Sequence, residues 1–344
     1  MKIAHLIFSF TIGGAESMLV DIVNEQVKQA KVSIVIINKI FDITLVEKID
    51  KRVTVYFINR EVNSKNPFKI LKLNLLLLTL RANVLHCHND NMVQLVLPHF
   101  KKKAVLTLHS MGIPTIFLNK YKKLFAISES VKKDIISRVN TEVIVIYNGI
   151  PTKLIEAKEN LLTDSTFKII AVGRLNHAIK GQHLAIEALH VLKGKGIINL
   201  RLDIIGSGES EVFLKRLTYE YGIADQINFL GLKDRDYIYS HLKEYDLLIQ
   251  PSLFEGFGLT VVEGMAAKIP VLVSDIQGPM EIIGNGKYGF HFKSGYPLDL
   301  AKQLKSIIEQ HTSIKQKQII EEAYQHIVAN FEITKTVDNY ITNY

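Results

Sequence analysis

A chain of 344 residues exceeds one ordinary domain and suits two of roughly 150–170 residues, each able to bury its own core. With 47% hydrophobic and 22% charged residues, the composition excludes a disordered or fibrous protein, and the single Cys87 excludes an internal disulfide framework and fits a reducing, cytoplasmic setting. The net charge of +8 is uneven: residues 1–160 hold 23 Lys/Arg against 13 Asp/Glu, and the rest hold 19 against 21.

Met1-Lys2 leads straight into the apolar run 3–8, which reads as a buried strand without a cleavage site, so no secretory leader is expected. Further β-branched, apolar runs follow at 32–37, 53–57, 83–86, 104–108, 124–127 and 143–146, with amphipathic segments such as 15–29 and 130–139 between several of them. Nearly continuous apolar strands separated by helices predict a parallel sheet covered on both faces. The longest apolar stretch, 73–80, is broken by Asn74 and flanked by Lys72 and Arg81. It falls short of the ~20 apolar residues of a spanning helix, so the chain is expected not to cross a membrane.

Asn148-Gly149-Ile150-Pro151 stops the pattern with turn chemistry, and 153–166 is polar and irregular. The alternation then restarts, with strands expected at 167–172, 200–205, 227–229, 247–250, 271–274 and 289–292. Helices are expected at 183–193, 209–221, 237–244, 259–267 and 298–309. This is a second doubly wound α/β domain. The expected division is 1–160, 161–322 and a terminal segment 323–344. Ligands of open α/β sheets bind outside the carboxyl ends of the strands, and two such domains side by side leave a cleft there.

Four stretches carry chemistry. In Gln250-Pro251-Ser252-Leu253-Phe254-Glu255-Gly256-Phe257-Gly258-Leu259-Thr260-Val261-Val262-Glu263 a strand ends, a glycine-containing loop follows and a helix starts near Leu259. Gly256 and Gly258 permit close approach of a ligand, and the amides of the helix start are donors for a phosphate. Glu255 stands at the mouth; Glu263, on an apolar segment, is a buried carboxylate in need of partners such as ribose hydroxyls. In Val172-Gly173-Arg174-Leu175-Asn176-His177-Ala178-Ile179-Lys180-Gly181 a guanidinium and an ammonium follow the first strand of the second domain, as a diphosphate leaving group requires. Phe10-Thr11-Ile12-Gly13-Gly14-Ala15-Glu16 opens the first helix with a glycine pair, a weak phosphate-loop signal. His109 ends a strand in Thr107-Leu108-His109-Ser110. Gly206-Ser207-Gly208 mimics a dinucleotide fingerprint, but Glu211 takes the third-glycine place. His86 and His88 are a metal-like pair for which the spacing offers no third ligand.

These strings resemble glycosyltransferase family 4, the group 1 glycosyltransferases, which are retaining enzymes of the GT-B fold. The likeness is dense over 167–281 and thin over 40–100. It implies two Rossmann-like doubly wound domains facing across a cleft, with the first binding the acceptor and the terminal segment 323–344 crossing back to it. It implies transfer of a sugar from a nucleotide-sugar donor to a saccharide or lipid-linked acceptor, in cell-surface polysaccharide or glycolipid synthesis. By the same resemblance Glu263 holds the donor ribose and Glu255 meets the hydroxyls of the transferred sugar. The amides of Phe257, Gly258 and Leu259 lie near sugar and diphosphate, with Gly206 near the base. Gly173, Arg174 and Lys180 serve the leaving diphosphate in place of a metal, Gly13 and Gly14 face the diphosphate or acceptor, and His109 contacts the transferred sugar. No cofactor and no metal are expected. The family's Gly-Gly-x-Pro-Glu is Gln277-Gly278-Pro279-Met280-Glu281 here, which leaves Glu281 without an assigned role.

The basic first half, with Lys101-Lys102-Lys103, Lys120, Lys122, Lys123, Lys132 and Lys133, implies an anionic membrane surface or lipid-pyrophosphate acceptor at the cytoplasmic face. No aromatic-interleaved basic stripe points to nucleic acid. The rival readings are an inactive nucleotide-sugar-binding protein and a nucleotide-sugar epimerase on the same fold.

Overall fold

Apolar strands buried on both faces can only pair in parallel when helices cover each side, and two such sheets form. The computed structural model describes residues 1–159, 166–311 and 313–344. The chain divides into one unit of Met1–Ile150 with Ile333–Tyr344 and another of Pro151–Glu332. The expected boundary at 160/161 and part of the irregular stretch 153–166 lie outside the described residues.

The first unit holds β1 (Lys2–Ile7), β2 (Lys31–Asn38), β3 (Thr54–Arg60), β4 (Val84–Cys87), β5 (Ala104–Leu108), β6 (Lys123–Ala126) and β7 (Ile144–Val145). They form an all-parallel sheet in the order β3-β2-β1-β4-β5-β6-β7. The second holds β8 (Phe167–Val172), β9 (Leu200–Ile205), β10 (Ile227–Gly231), β11 (Leu247–Gln250), β12 (Val271–Ser274) and β13 (Phe290–Phe292). These are again all parallel, in the order β10-β9-β8-β11-β12-β13. In each sheet the order reverses beside the first strand: between β1 and β4, and between β8 and β11. The crevice outside such a switch point is the ligand-binding place of doubly wound sheets.

Local chemistry starts the helices. Ser128 caps Glu129–Arg138 by accepting from the Val131 amide, Asp234 caps Arg235–His241, and Asn66 with Pro67 opens Pro67–Leu80. Helices Gly14–Gln26, after Gly13, and Leu259–Ala266, after Gly258, open on glycine instead, so no side chain caps their first amides. Among the described residues, no helix is long and apolar enough to cross a membrane.

The segment that returns to the first unit begins at Ile333, ten residues later than expected from the sequence. Ala323 lies inside helix Ile314–Asn330, which buries Ile320, Ala323 and Ile327 and packs on Leu259–Ala266 of its own unit. Helix Ile333–Asn343 then packs on Gly14–Gln26. Ile333 donates to the Ile150 carbonyl at 3.0 Å, and Thr336 donates to that of Tyr147 at 2.9 Å. At its far end the Lys122 and Lys123 ammoniums donate to the carbonyls of Tyr344 and Asn343, at 3.0 and 2.5 Å, where the helix dipole is negative.

The second unit is pinned by a buried ion pair. Lys158 Nζ lies 2.7 Å from Asp246 Oδ1, both side chains 4% exposed, and donates also to the Tyr245 carbonyl. Removing one partner strands the other charge, so Lys158→Met should cost about 3–5 kcal/mol. Urea denaturation measures this; an unchanged midpoint overturns it.

Candidate functional site

The β8/β11 switch point gathers most of the expected site residues of the second unit. After β8 the chain runs through Gly173 and Arg174 to the short helix His177–Lys180, started by Asn176, whose Oδ1 accepts from the Ile179 amide at 3.1 Å. That helix accommodates the spacing between Arg174 and Lys180. The loop after β11 is fastened to it: Leu253 and Phe254 both donate to the Ile179 carbonyl, at 2.8 and 3.1 Å. Lys180, Gln182, Gln250, Pro251 and Ser252 line a small crevice at the ends of β8 and β11.

Within it Lys180 Nζ and Glu255 Oε2 stand 2.5 Å apart, both largely but not wholly buried. Gln250 Nε2 donates to the same oxygen at 3.4 Å and to Thr260 Oγ1 at 3.2 Å. The pair therefore satisfies two charges that face the open first turn of Leu259–Ala266, with Phe257 buried beneath. The loop's position is set from below by Gly278 of helix Gln277–Ile282. A Cβ there would stand 2.7 Å from the Glu255 carbonyl oxygen and 2.9 Å from the backbone of Gly256 and Phe257. Only glycine admits that approach, which gives the Gln277-Gly278-Pro279 string a packing role.

Arg174 takes a different position. Its side chain is 73% exposed and pairs loosely with Glu209 at 3.3 Å, not with the Lys180 and Glu255 pair. Asn176 Nδ2 holds the other Glu209 oxygen at 2.7 Å. Gly206 closes β9 directly against the Gly173 carbonyl, 2.0 Å from where a Cβ would sit. Glu263 is buried, as a carboxylate on an apolar helix must be if it is partnered, and Arg235 Nε lies 3.7 Å away. Glu209 and Arg235 were not legible as partners in the sequence, because both are distant in sequence and carry only ordinary helix-start signals.

In the first unit Gly13 and Gly14 follow β1 at the opening of helix Gly14–Gln26. The Glu16 carboxylate folds back to within 2.6 Å of where a Gly13 Cβ would lie. Burial pushes the Glu16 carboxyl above the usual carboxylate range. An acid over that turn already occupies the positive helix end, which fits a hydroxyl-bearing ligand better than a diphosphate.

His109 follows β5 and joins a buried network that the sequence did not reveal. His5 on β1 faces His86 on β4 in register. His5 Nδ1 lies 3.0 Å from His88 Nε2, and His88 Nδ1 lies 3.1 Å from His109 Nε2. His5 Nε2 meets Gln26 Oε1 at 2.7 Å, and Gln26 Nε2 donates to Tyr344 Oη at 2.9 Å. His86 meets Tyr344 Oη at 2.7 Å and Thr107 Oγ1 at 2.6 Å, and Thr107 meets Tyr340 Oη at 3.0 Å. The sequence spacing offered no third ligand to His86 and His88; folding supplies His5, whose ring lies within 4.8 Å of both. All six ring nitrogens of the three are nonetheless engaged in the hydrogen bonds just given, so a metal would have to break them. The one sequence signal was a histidine at position 5 inside an apolar strand.

Burial lowers the pKa of His5 and of His109 to about 4, and holds His86 and His88 well below the usual histidine range. Below about 6.5 the unfolded chain takes up protons that these rings refuse, so stability falls as pH drops from 7 towards 4. The slope is up to about 1.4 kcal/mol per pH unit for each of the fully buried rings His5, His86 and His88. Thermal denaturation at pH 7, 6 and 5 should show a melting temperature that declines through this window; a flat profile contradicts neutral buried histidines.

Comparison with known proteins places this geometry. The family "Glycosyl transferases group 1" matches residues 152–326, and "Glycosyltransferase Family 4" matches residues 12–154. The uncharacterized glycosyltransferase MJ1607 of Methanocaldococcus jannaschii is 32% identical over 237 residues, 59% of this chain and 60% of that protein. The capsular polysaccharide biosynthesis glycosyltransferase CapM of Staphylococcus aureus is 25% identical over 202 residues, 55% of this chain and 53% of CapM. The chain thus spans little more than half the length of these curated relatives. Among solved structures, Anabaena Alr3699/HepE in complex with UDP-glucose superposes with a TM-score of 0.84 at 21% identity, over 100% of this chain and 99% of that one. At that identity it establishes the two-unit α/β architecture of the GT-B fold. With one family matched across half its length and the other across most of the remainder, the chain belongs to the group 1 glycosyl transferases.

Proposed function

We propose that the chain is a retaining glycosyltransferase that moves a sugar from a nucleotide-sugar donor to a saccharide or lipid-linked saccharide, in cell-surface polysaccharide or glycolipid synthesis. The observation that carries this reading is the Lys180–Glu255 pair beside the uncapped helix start at the β8/β11 switch point. Within the protein the two charges neutralise each other. A bound donor replaces that contact: Lys180 turns to the diphosphate, while Glu255 accepts from hydroxyls of the transferred sugar. Gly256, Phe257, Gly258 and Leu259 offer the amides of the helix start to the phosphates. Arg174, exposed and held only by Glu209, swings to the leaving group as its charge develops. Glu263 holds the ribose, with Gly173 and Gly206 giving the nucleotide close access to the backbone.

In the first unit Gly13 and Gly14 serve the acceptor, and His109 contacts the transferred sugar. Departure of the diphosphate leaves an oxocarbenium-like sugar, and the incoming hydroxyl adds on the same face. No protein nucleophile is assigned. Two cations at the leaving group do the work of a divalent metal, so transfer proceeds without one. HepE in complex with UDP-glucose and the capsule protein CapM support a nucleotide-sugar donor and a polysaccharide role over the inactive-binder and epimerase readings.

Thermal-shift screening against UDP-, GDP-, ADP- and CMP-sugars identifies the donor, because a ligand stabilises the state it binds. With that donor and a saccharide acceptor, Arg174→Ala or Lys180→Ala should lower kcat by about 100-fold or more. Glu263→Ala should weaken nucleoside-diphosphate affinity, and EDTA should leave the rate unchanged. Activity lost in EDTA and restored by Mn²⁺, or undiminished in both cation variants, refutes this chemistry.

A specific surface supports cytoplasmic-face membrane contact as well. Helix Pro67–Leu80 exposes Phe68, Leu71, Leu75 and Leu78 at spacings of three and four residues, with the exposed Lys65 nearby, whereas Lys72 donates to the Phe57 carbonyl. An apolar stripe with a flanking lysine suits an anionic bilayer. Of the lysine clusters, Lys103, Lys122 and Lys123 instead donate to backbone carbonyls, so their replacement tests stability rather than docking. Co-sedimentation with anionic vesicles should fall steeply with salt and be lost in Leu71→Glu/Leu75→Glu. Equal binding by that variant contradicts docking through this helix.

A further inference from the structure

The hydrogen-bonded path that ends at His109 has a direction, and its origin lies at Gln26. β1, β4 and β5 are neighbours in the sheet, so His5, His88 and His109 step across three adjacent strands. Their rings are near-parallel, with centroids 5.3 and 5.4 Å apart. Gln26 is fully buried and presents its amide oxygen to His5 Nε2 and its amide nitrogen to Tyr344. A carbonyl oxygen accepts and never donates, so His5 carries its proton on Nε2 and leaves Nδ1 as a lone pair.

A neutral imidazole has one donor and one acceptor, and each ring passes the constraint on. His88 Nε2 must donate to His5 Nδ1, which leaves His88 Nδ1 an acceptor, and His109 Nε2 must donate to it. The branch through Tyr344 obeys the same rule. Tyr344 accepts from the Gln26 amide and donates to His86 Nδ1, and His86 Nε2 donates to Thr107. Every buried group is satisfied, and all four rings adopt the Nε2–H form that free histidine also favours. Burial keeps the rings neutral at pH 7, so no added proton breaks the pattern.

We propose that Gln26 is a positioning residue that, through His5 and His88, fixes His109 as the Nε2–H tautomer and leaves its Nδ1 lone pair to accept a hydrogen bond from a sugar hydroxyl. The functional half of this inference rests on His109 contacting the transferred sugar, as proposed above. The tautomer half stands on the hydrogen bonds alone. His109 Nδ1 has no hydrogen-bond partner among the described residues, whereas Nε2 is already spent on His88. The opposite order, with Gln26 turned over, would make His109 a donor at Nδ1 and would place each ring in its less favoured form.

The test is a long-range ¹H–¹⁵N spectrum of the full chain labelled with ¹⁵N-histidine, at pH 7, with rings assigned by single replacements. The expected result is an Nε2–H tautomer for His5, His88 and His109. A His109 that is Nδ1–H, mixed or protonated overturns the proposal on the native protein, whatever the variants do. Gln26→Leu removes the acceptor that sets the order. It should mix the His109 tautomers and lower kcat by about 10- to 100-fold, the scale of losing a group that orients a functional imidazole, with little change in donor KM. Thr107→Val removes a buried hydrogen bond from the other branch, and should lower the melting temperature while leaving the His109 tautomer and kcat in place. If both variants lose kcat alike, or Gln26→Leu keeps a pure tautomer, the network is only structural and the proposal fails. A native protein that transfers no sugar from any nucleotide donor sinks the proposed function, while the spectrum still decides the tautomer.

Discussion

A parallel sheet buried on both faces has one place where polar chemistry is inexpensive: the edge where its strands end and its helices begin. Inside the sheet each strand position must be apolar or hydrogen-bonded. At the carboxyl edge, glycine turns leave helix amides unpaired and loops reach solvent. Both sheets of this protein obey that constraint. Gly13, Gly14, His109, Gly173, Arg174, Lys180, Glu255 and Gly258 all follow strands at that edge, and the crevice that Lys180 lines lies where the order of the second sheet reverses.

The constraint also explains why the polar residues of the strand interiors form a closed network. His5, His86 and Thr107 of the strands are buried, as is Gln26 at the end of helix Gly14–Gln26, and an unsatisfied polar group there would cost about 1–3 kcal/mol. The sheet cannot satisfy them, since its backbone groups are used in the ladders. They therefore satisfy one another and recruit Tyr340 and Tyr344 from the returning terminal helix. That helix is thus held to the first unit by side-chain hydrogen bonds and lysine contacts as well as by its apolar face.

Much of the fold was legible because it rests on local signals. Strands such as 104–108 and 167–172 were read with their observed bounds, since unbroken apolar, β-branched runs have few other uses. The crossing segment was less legible: 314–330 and 333–343 form two helices, and periodicity does not say which unit a helical face covers. The strings around Lys180 and Glu255 were readable because a strand end, a glycine turn and a charged group are contiguous there. What the string could not give is the pairing of Lys180 with Glu255 across 75 residues, or the separation of Arg174 from that pair. His5, Gln26, Tyr340 and Tyr344 were invisible as a group, because each alone looks like an ordinary residue of its element.

The two units handle charge in opposite ways. In the second unit the charged groups are neutralised by partners that are themselves partly or largely exposed: Glu255 for Lys180, and Glu209 for Arg174. Under the proposed function a donor would take Lys180 and Arg174 as counter-charges and leave Glu255 to sugar hydroxyls, with the attraction strengthening as the leaving group gains charge. In the first unit burial removes charge altogether, and what remains is a fixed pattern of lone pairs and protons. A neutral, oriented imidazole can recognise a hydroxyl without attracting phosphates. Under the proposed function, displaceable charge on the second unit and immobile neutral polarity on the first would let each bind its own chemistry without competing for the other's ligand.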